Sequence, residues 1–244
     1  MTSFQILDFD SDLFGFGVAK ILPARLKTHE LKEICSQLKS AKIKLVYWYA
    51  DREDKTSNEA ALLCNGFLAS EQITYAVTLS NIMAKVAAEI SSLPSVSEYQ
   101  DLIPQQELNF LALQAGSFSR FKMDPKLDEQ LFIKLYNKWI LNSVNKTIAR
   151  KVLVVKQNLQ ITGMITLGEK NKRGDIGLLA VAKDFRGQNI GKALVRSAQK
   201  EFFTWGLKGA QVVTQLANKP ACHLYEKCGF SIESIENVYH FWLE

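Results

Sequence analysis

The residues with the most chemical content form the run Arg186-Gly187-Gln188-Asn189-Ile190-Gly191-Lys192-Ala193-Leu194, which follows the apolar stretch Ile176 to Val181. A polar, glycine-bearing turn between a strand and an amphipathic helix presents consecutive backbone N–H groups. Together with the positive helix end, such a turn holds phosphate. Gly187 and Gly191 permit close backbone approach, and Asn189 tolerates positive φ. The run lacks the Gly-Lys-Ser/Thr end of a P-loop and the three spaced glycines of a dinucleotide fingerprint. From the residues alone, an ordinary strand–helix connection is an equal reading. A second cluster follows, Asn218-Lys219-Pro220-Ala221-Cys222-His223-Leu224-Tyr225-Glu226-Lys227-Cys228-Gly229-Phe230. Tyr225 there offers a phenol suited to general acid work, with a half-buried structural tyrosine as the alternative.

A base needs a carboxylate or an imidazole. Glu71, just after Gly66-Phe67, is the candidate base; a solvent-facing charge is the alternative. Arg120 and Phe121 sit in Phe118-Ser119-Arg120-Phe121, where a guanidinium among aromatic rings can meet phosphate. The plain alternative is a surface loop with Arg120 in solvent. His223 lies two positions from Tyr225 on a helix and faces elsewhere, and His29 and His240 have no nearby partners that would make a metal site. The four cysteines lack zinc-site spacing, so no metal is expected.

These residues need elements to hold them. Thr28 to Ser40 reads as a helix capped by Thr28, and Ile43 to Tyr49 and Ile73 to Leu79 read as strands. Phe4 to Leu22 reads as one or two short strands, and Asn58 to Asn65 as a short helix ended by Gly66. Composition shifts to Ser and Ala between Asn81 and Tyr99, which places a boundary at 92/93. Beyond it, helices are expected at 105–115 and 127–143, a hairpin at 148–167, a helix at 191–205, and strands at 211–214 and 238–243. Helices interleaved with strands point to an α+β chain with a mixed, α/β-type sheet. Helix–Gly–Phe–strand occurs twice, ending at Leu79 and at Leu243, so the N-terminal part reads as a reduced copy of the C-terminal fold.

The net charge of +5 is mild and scattered, which argues against a nucleic-acid surface and suits an anionic small ligand. No apolar run reaches a membrane-spanning length, and no signal-peptide pattern opens the sequence, so a cytoplasmic location is the default expectation.

The Arg186–Leu194 run resembles the acetyl-CoA loop of the GCN5-related N-acetyltransferase (GNAT) superfamily, Arg/Gln-x-x-Gly-x-Gly/Ala, with Asn189 at the middle glycine. Asn218, Tyr225 and the Gly229-Phe230 ending match its late motif. The resemblance implies the GNAT acyl-CoA N-acyltransferase fold at 93–244, preceded by a truncated GNAT-like domain at 1–92. Acetyl-CoA would be the donor. Its pantetheine arm would lie along main-chain groups near Leu179 and Val181. Its pyrophosphate would rest on the loop of Arg186, Gly187, Gln188, Asn189, Ile190, Gly191 and Lys192, with Asn218 beside it. Tyr225 would protonate the leaving thiolate after direct attack through a tetrahedral intermediate. Phe9-Asp10-Ser11-Asp12-Leu13-Phe14-Gly15-Phe16-Gly17-Val18 and the segment Ser119 to Ile140 resemble acetyltransferases of nucleotide-linked amino sugars. That resemblance implies a nucleotide-sugar acceptor, Glu71 as base, and Arg120 and Phe121 on the acceptor. Another primary amine, or a non-catalytic acyl-CoA module, is the competing expectation. A C-terminal edge strand would offer a homodimer sheet.

Overall fold

The computed structural model describes residues 3–243. In chain order the elements are β1 (Phe4–Ile6), α1 (Asp8–Phe14), β2 (Gly17–Ile21), α2 (Thr28–Ser40), β3 (Ile43–Asp51), α3 (Lys55–Leu63), β4 (Phe67–Thr78) and α4 (Met83–Ile90). There follow β5 (Ser97–Glu98), α5 (Gln106–Ala115), α6 (Arg120–Met123), α7 (Glu129–Val144), β6 (Lys151–Gln157), β7 (Gln160–Lys170) and β8 (Arg173–Val181). The chain ends with α8 (Ile190–Thr204), β9 (Gly209–Gln215), α9 (Lys219–Lys227) and β10 (Ser231–Trp242).

All ten strands form one mixed sheet in the order β1-β2-β3-β10-β4-β9-β8-β7-β6-β5. Among the described residues, only β2/β3 and β8/β9 pair in parallel. Each parallel pair is followed by a helix, a glycine, a phenylalanine and a long strand, and the two long strands are exchanged. β4 hydrogen-bonds to β9, and β10 to β3. The exchange makes the expected boundary at 92/93 a point in the turn after α4, with no break in the sheet. It also buries β10 between β3 and β4, so the C-terminal strand is not the free edge that the dimer expectation required.

Side-chain alternation along the strands feeds two faces. One carries α1, α5, α6 and α7 over a core that includes Phe14, Tyr47, Leu108, Phe132 and Ile140. The other is covered by α2 and α3 around Leu31, Val46 and Trp48, and by α8 and α9 around Leu194, Phe202 and Tyr225. In α2, buried Leu31, Ile34 and Leu38 share one face, and the Lys27 amide donates to Glu30 Oε2 at 2.7 Å. The cap is thus Lys27, one residue before Thr28.

Besides the short α6, two helices depart from the sequence reading. Asp8–Phe14 is helical because Leu13 and Phe14 reach the core from one side and Gly15, at φ 76°, closes the helix by donating its N–H to Ser11 O at 2.8 Å. Met83–Ile90 is helical within the Ser/Ala-rich stretch, and Glu89 ties it to Arg196 and Lys192 of α8 at 2.9 and 3.1 Å.

Candidate active site

The site begins where two strands stop pairing. β8 and β9 are in register only at Gly174↔Ala210, Asp175↔Gln211 and Ile176↔Val212. Beyond these, β8 continues along β7 as far as Val181, while β9 continues along β4 to Gln215. The strands therefore diverge into a wedge. A register shift between Ile165 and Leu167 on β7 marks the cause, a bulge at Gly177-Leu178, and bulges bend the strand that carries them. Thr166 Oγ1 secures it by accepting from the Leu178 amide at 2.8 Å. A Cβ on Gly177 would stand 2.7 Å from that oxygen. The Ala182 amide donates to Thr162 O on β7 at 2.8 Å. Alternation along the strand then turns the main-chain groups of Leu179 and Val181 into the wedge. Val181 O is partly engaged there, accepting from Gln114 Nε2 at 2.6 Å and Arg186 Nε at 3.3 Å.

The loop at the mouth of the wedge has the backbone its residue types suggested. Gly187 lies at φ 80° and Asn189 at φ 59°, both left-handed. Nothing lies within 4 Å of a Cβ built on Gly187, so glycine is needed there for its dihedral and not for space. A Cβ on Gly191 would come 3.0 Å from Leu224 Cδ2, so that glycine lets α8 and α9 pack closely. Ile190 is buried and anchors the turn. The amides of 187–192 have no acceptor among the described residues. Six unpaired N–H groups at the start of a fifteen-residue helix are a cradle for anionic oxygens. Gln188 Oε1 accepts from Gln157 Nε2 at 3.2 Å, which braces the loop against β6. The amide cradle and the two open strand edges fit the phosphates and the amide-bearing arm of acetyl-CoA.

Tyr225, on α9, closes the inner end. Its ring lies between Tyr75 and Phe230, with centroids 6.0 and 5.9 Å away. It is almost fully buried yet borders the cleft, and its hydroxyl has no partner among the described residues. Burial, reinforced by Cys222 and Cys228, pushes its phenol above the ordinary range, so it holds its proton at neutral pH. Asn218 caps α9 by accepting from the Ala221 amide at 3.4 Å and borders the same cleft.

The cleft, about 520 Å³, spreads from the wedge over the sheet face beneath α5, α6 and α7. Arg120 borders it, held by Tyr49 Oη at 2.8 Å and lying over the Tyr47 and Phe121 rings at 4.2 and 4.1 Å. Its buried Nε has no partner. Arg120 is therefore an ordered part of the cleft wall and not a solvated loop cation. Phe121 is buried and shares this wall.

Glu71 is not in the cleft. Ser70, Gln72 and Thr74 face it, so Glu71, between them on β4, points to the opposite face, where it pairs with Arg52 at 3.0 Å. The sequence reading of Glu71 followed its position after Gly66-Phe67; the period-two alternation of β4 carries it away. The carboxylate at the wedge apex is Asp175. Its Oδ1 accepts from Gln211 Nε2 at 2.8 Å, and burial raises its pKa above the usual carboxylate value. The sequence reading missed Asp175, Gln114 and Gln211, because no local pattern marks which of these side chains face the wedge. His240 is buried, with Nδ1 2.6 Å from Asp124 Oδ2, and His223 lies outside the cleft, 3.8 Å from Glu226. No group of three potential metal ligands occurs among the described residues.

Residues 113–230 match the model of the acetyltransferase (GNAT) family. The splayed strands and the amide loop lie within that matched segment, which is similar to the GNAT family, a family whose acyl donor is acetyl-CoA. Curated relatives and solved structures are also similar to the chain. Spore coat polysaccharide biosynthesis protein SpsD of Bacillus subtilis is 28% identical over 132 residues, 54% of this chain and 45% of that protein. A conserved protein of unknown function from Staphylococcus epidermidis superposes with a TM-score of 0.68 at 14% identity, covering 100% of this chain and 93% of the other. A GCN5-related N-acetyltransferase from Sphaerobacter thermophilus gives 0.60 at 11% identity, covering 99% and 76%. The chain spans less than half the length of the curated relatives it matches. No helix among the described residues is long and apolar enough to cross a membrane.

Proposed function

We propose that this protein transfers an acetyl group from acetyl-CoA to the primary amine of a nucleotide-linked amino sugar, in particular the 4-amino group of dTDP-4-amino-4,6-dideoxygalactose. The observation that carries the proposal is the union of two unlike walls in one cleft. At one end stand the open strand edges, the unpaired amides and Tyr225. At the other stands Arg120, an ordered cation with a free buried Nε, flanked by aromatic rings. A guanidinium of that kind suits a diphosphate, and the rings suit a sugar or base. The polysaccharide role in the name of SpsD supports a sugar acceptor. The repeated helix–Gly–Phe–strand unit, with β4 and β10 exchanged, supports reading 1–92 as a reduced copy of the GNAT-like half.

The residues divide the chemistry. Bound acetyl-CoA supplies an activated acyl carbon. The main chain of Leu179 and Val181 holds its arm, the amides from Gly187 to Lys192 hold its pyrophosphate, and Asn218 borders its path. Arg186 and Gln188 brace that loop. Asp175, at the wedge apex in the cleft, accepts the proton of the attacking amine, a role that burial favours by raising its pKa above that of an exposed carboxylate. Tyr225 Oη donates a proton to the departing sulfur as the C–N bond forms and the C–S bond breaks. Arg120 and Phe121 orient the acceptor. An acetyl-transfer screen against amino sugars linked to dTDP or UDP, with peptides and polyamines alongside, tests the proposal. Acetylation of a dTDP- or UDP-linked amino sugar is expected; acetylation of only peptides or polyamines overturns the sugar acceptor.

A further inference from the structure

A smaller chamber opens beside the wedge apex. It occupies about 250 Å³ between α7, the segment leading into β6, the second half of β7 and the first half of β8. Trp139, Asp175 and Gly177 border both this chamber and the main cleft, so the two spaces meet at the bulge. The remaining walls are Ser143, Ile148, Ala149, Thr166 and Gly168, which are small or apolar. The polar side chains that can bind an acceptor lie the other way. Lys20, Gln72, Arg120 and Glu236 border the cleft and not the chamber. Two of the chamber's polar groups are already used internally. Ser143 Oγ donates to Trp139 O at 2.9 Å, and Thr166 Oγ1 accepts from the Leu178 amide. Trp139, the ring shared by the two spaces, stacks on Tyr136 at 5.6 Å and is held in place.

We propose that the chamber receives the acyl group, and that the enzyme therefore uses short-chain acyl-CoA donors beyond acetyl, of the propionyl and butyryl class. This rests on the acyl-CoA reading of the wedge. The donor's thioester must lie at the bulge, where β8 and β9 part, because the arm runs from the amide cradle toward that apex. Gly177 presents no side chain there, so on β8 only Asp175, held by Gln211 Nε2, borders the passage from the thioester carbon to the chamber. An acetyl methyl leaves most of the space empty. A water takes roughly 30 Å³ in the liquid, so the chamber has room for several methylenes. An acyl chain entering it leaves the polar branch to the amine.

The test is acceptor-independent: calorimetric titration of the full chain with acetyl-CoA, propionyl-CoA and butyryl-CoA. The expected result is butyryl-CoA binding as tightly as acetyl-CoA, within about threefold, because a methylene in an apolar pocket is not penalised. Ala149→Val and Ser143→Val fill the chamber from two sides, and each is expected to weaken butyryl-CoA by about tenfold while acetyl-CoA stays within about twofold. Wild-type protein that binds acetyl-CoA but rejects butyryl-CoA overturns the chamber and leaves the donor reading intact. Equal loss of both esters in the two variants overturns it as well. Failure of all three esters to bind sinks the donor reading and the chamber together.

Discussion

The two parallel strand pairs of this sheet solve the same packing problem in opposite ways. β2 and β3 stay paired from Gly17↔Ile43 to Ile21↔Trp48, whereas β8 and β9 part after three pairs. The turns that follow differ in step. After β2, Pro23 has no N–H, and the amides of Leu22, Leu26 and Lys27 donate to Ser3 O, Ser57 Oγ and Glu30 Oε2. After β8, the amides of 187–192 have no partner among the described residues. Where α9 carries the buried Tyr225 four residues before its Gly-Phe, α3 carries exposed Leu62. One pair spends its backbone groups on the fold; the other keeps them for a ligand. A binding site arises here from hydrogen bonds left unmade, beside a neighbour in which the amides of Leu22, Leu26 and Lys27 are satisfied.

The largest expected effects set the two pairs against each other. Trp48 is fully buried in the closed pair and donates Nε1–H to Pro23 O at 2.7 Å. Trp48→Ala should cost about 3–5 kcal/mol in chemical denaturation, through the cavity and the lost hydrogen bond. Acyl-CoA affinity of the folded fraction should stay unchanged. Tyr225→Phe should do the reverse, lowering turnover by about 10–1000-fold with donor affinity and stability nearly constant. Unchanged turnover would remove Tyr225 from the acid role. A Trp48→Ala protein that folds normally but loses the donor would erase the division between the pairs.

Next in size is the loop. Asn189→Val places a β-branched residue at φ 59°, which costs about 1–3 kcal/mol of backbone strain. The loop can relieve the strain only by abandoning the cradle. Weaker acetyl-CoA binding, by about 5–150-fold in titration calorimetry, follows from that range. A variant with wild-type affinity would show that the amides do not hold the donor.

The base is a smaller effect, visible chiefly in its pH dependence. Burial raises the Asp175 pKa, so the carboxylate loses its proton at a higher pH than an exposed aspartate. Activity should therefore rise with pH through a limb above the ordinary value of about 3.9, as the base form appears. Asp175→Asn should lower kcat/KM and remove that limb. Glu71→Gln, on the opposite face beside Arg52, should leave both rate and profile unchanged. The opposite result, a profile moved by Glu71→Gln and untouched by Asp175→Asn, returns the base to Glu71.

How far these features were legible follows from how local their causes are. The amide loop and the φ of Asn189 were readable because residue type and dihedral are coupled within a few positions. Tyr225 and Asn218 were readable as parts of one capped helix. Glu71 was misplaced because strand alternation decides facing, and a one-residue shift reverses it. The wedge was invisible because it is a pairing that does not occur, set by a bulge whose staple, Thr166, lies on another strand. The exchange of β4 and β10 was likewise beyond reach, since it pairs strands far apart in the chain, which no local pattern encodes. Arg120 lines the cleft, but its seat over Tyr47 depends on residues 73 positions apart in the chain, which no local pattern encodes.

The smallest expected effect is the most discriminating for the loop. Asn189 occupies a left-handed position that glycine adopts without strain, and its side chain makes no hydrogen bond that would be lost. Asn189→Gly thus removes a side chain while keeping the six amides aimed as they are. Donor affinity should stay within about twofold, since only backbone groups hold the anion. Stability should fall by no more than about 1 kcal/mol, because glycine adds conformational entropy to the unfolded chain. Set beside Asn189→Val, the pair separates backbone from side chain at one position. A large loss of donor affinity in Asn189→Gly would mean that the asparagine amide itself touches the donor, and the open half of the molecule would then rely on side chains as much as on unpaired backbone.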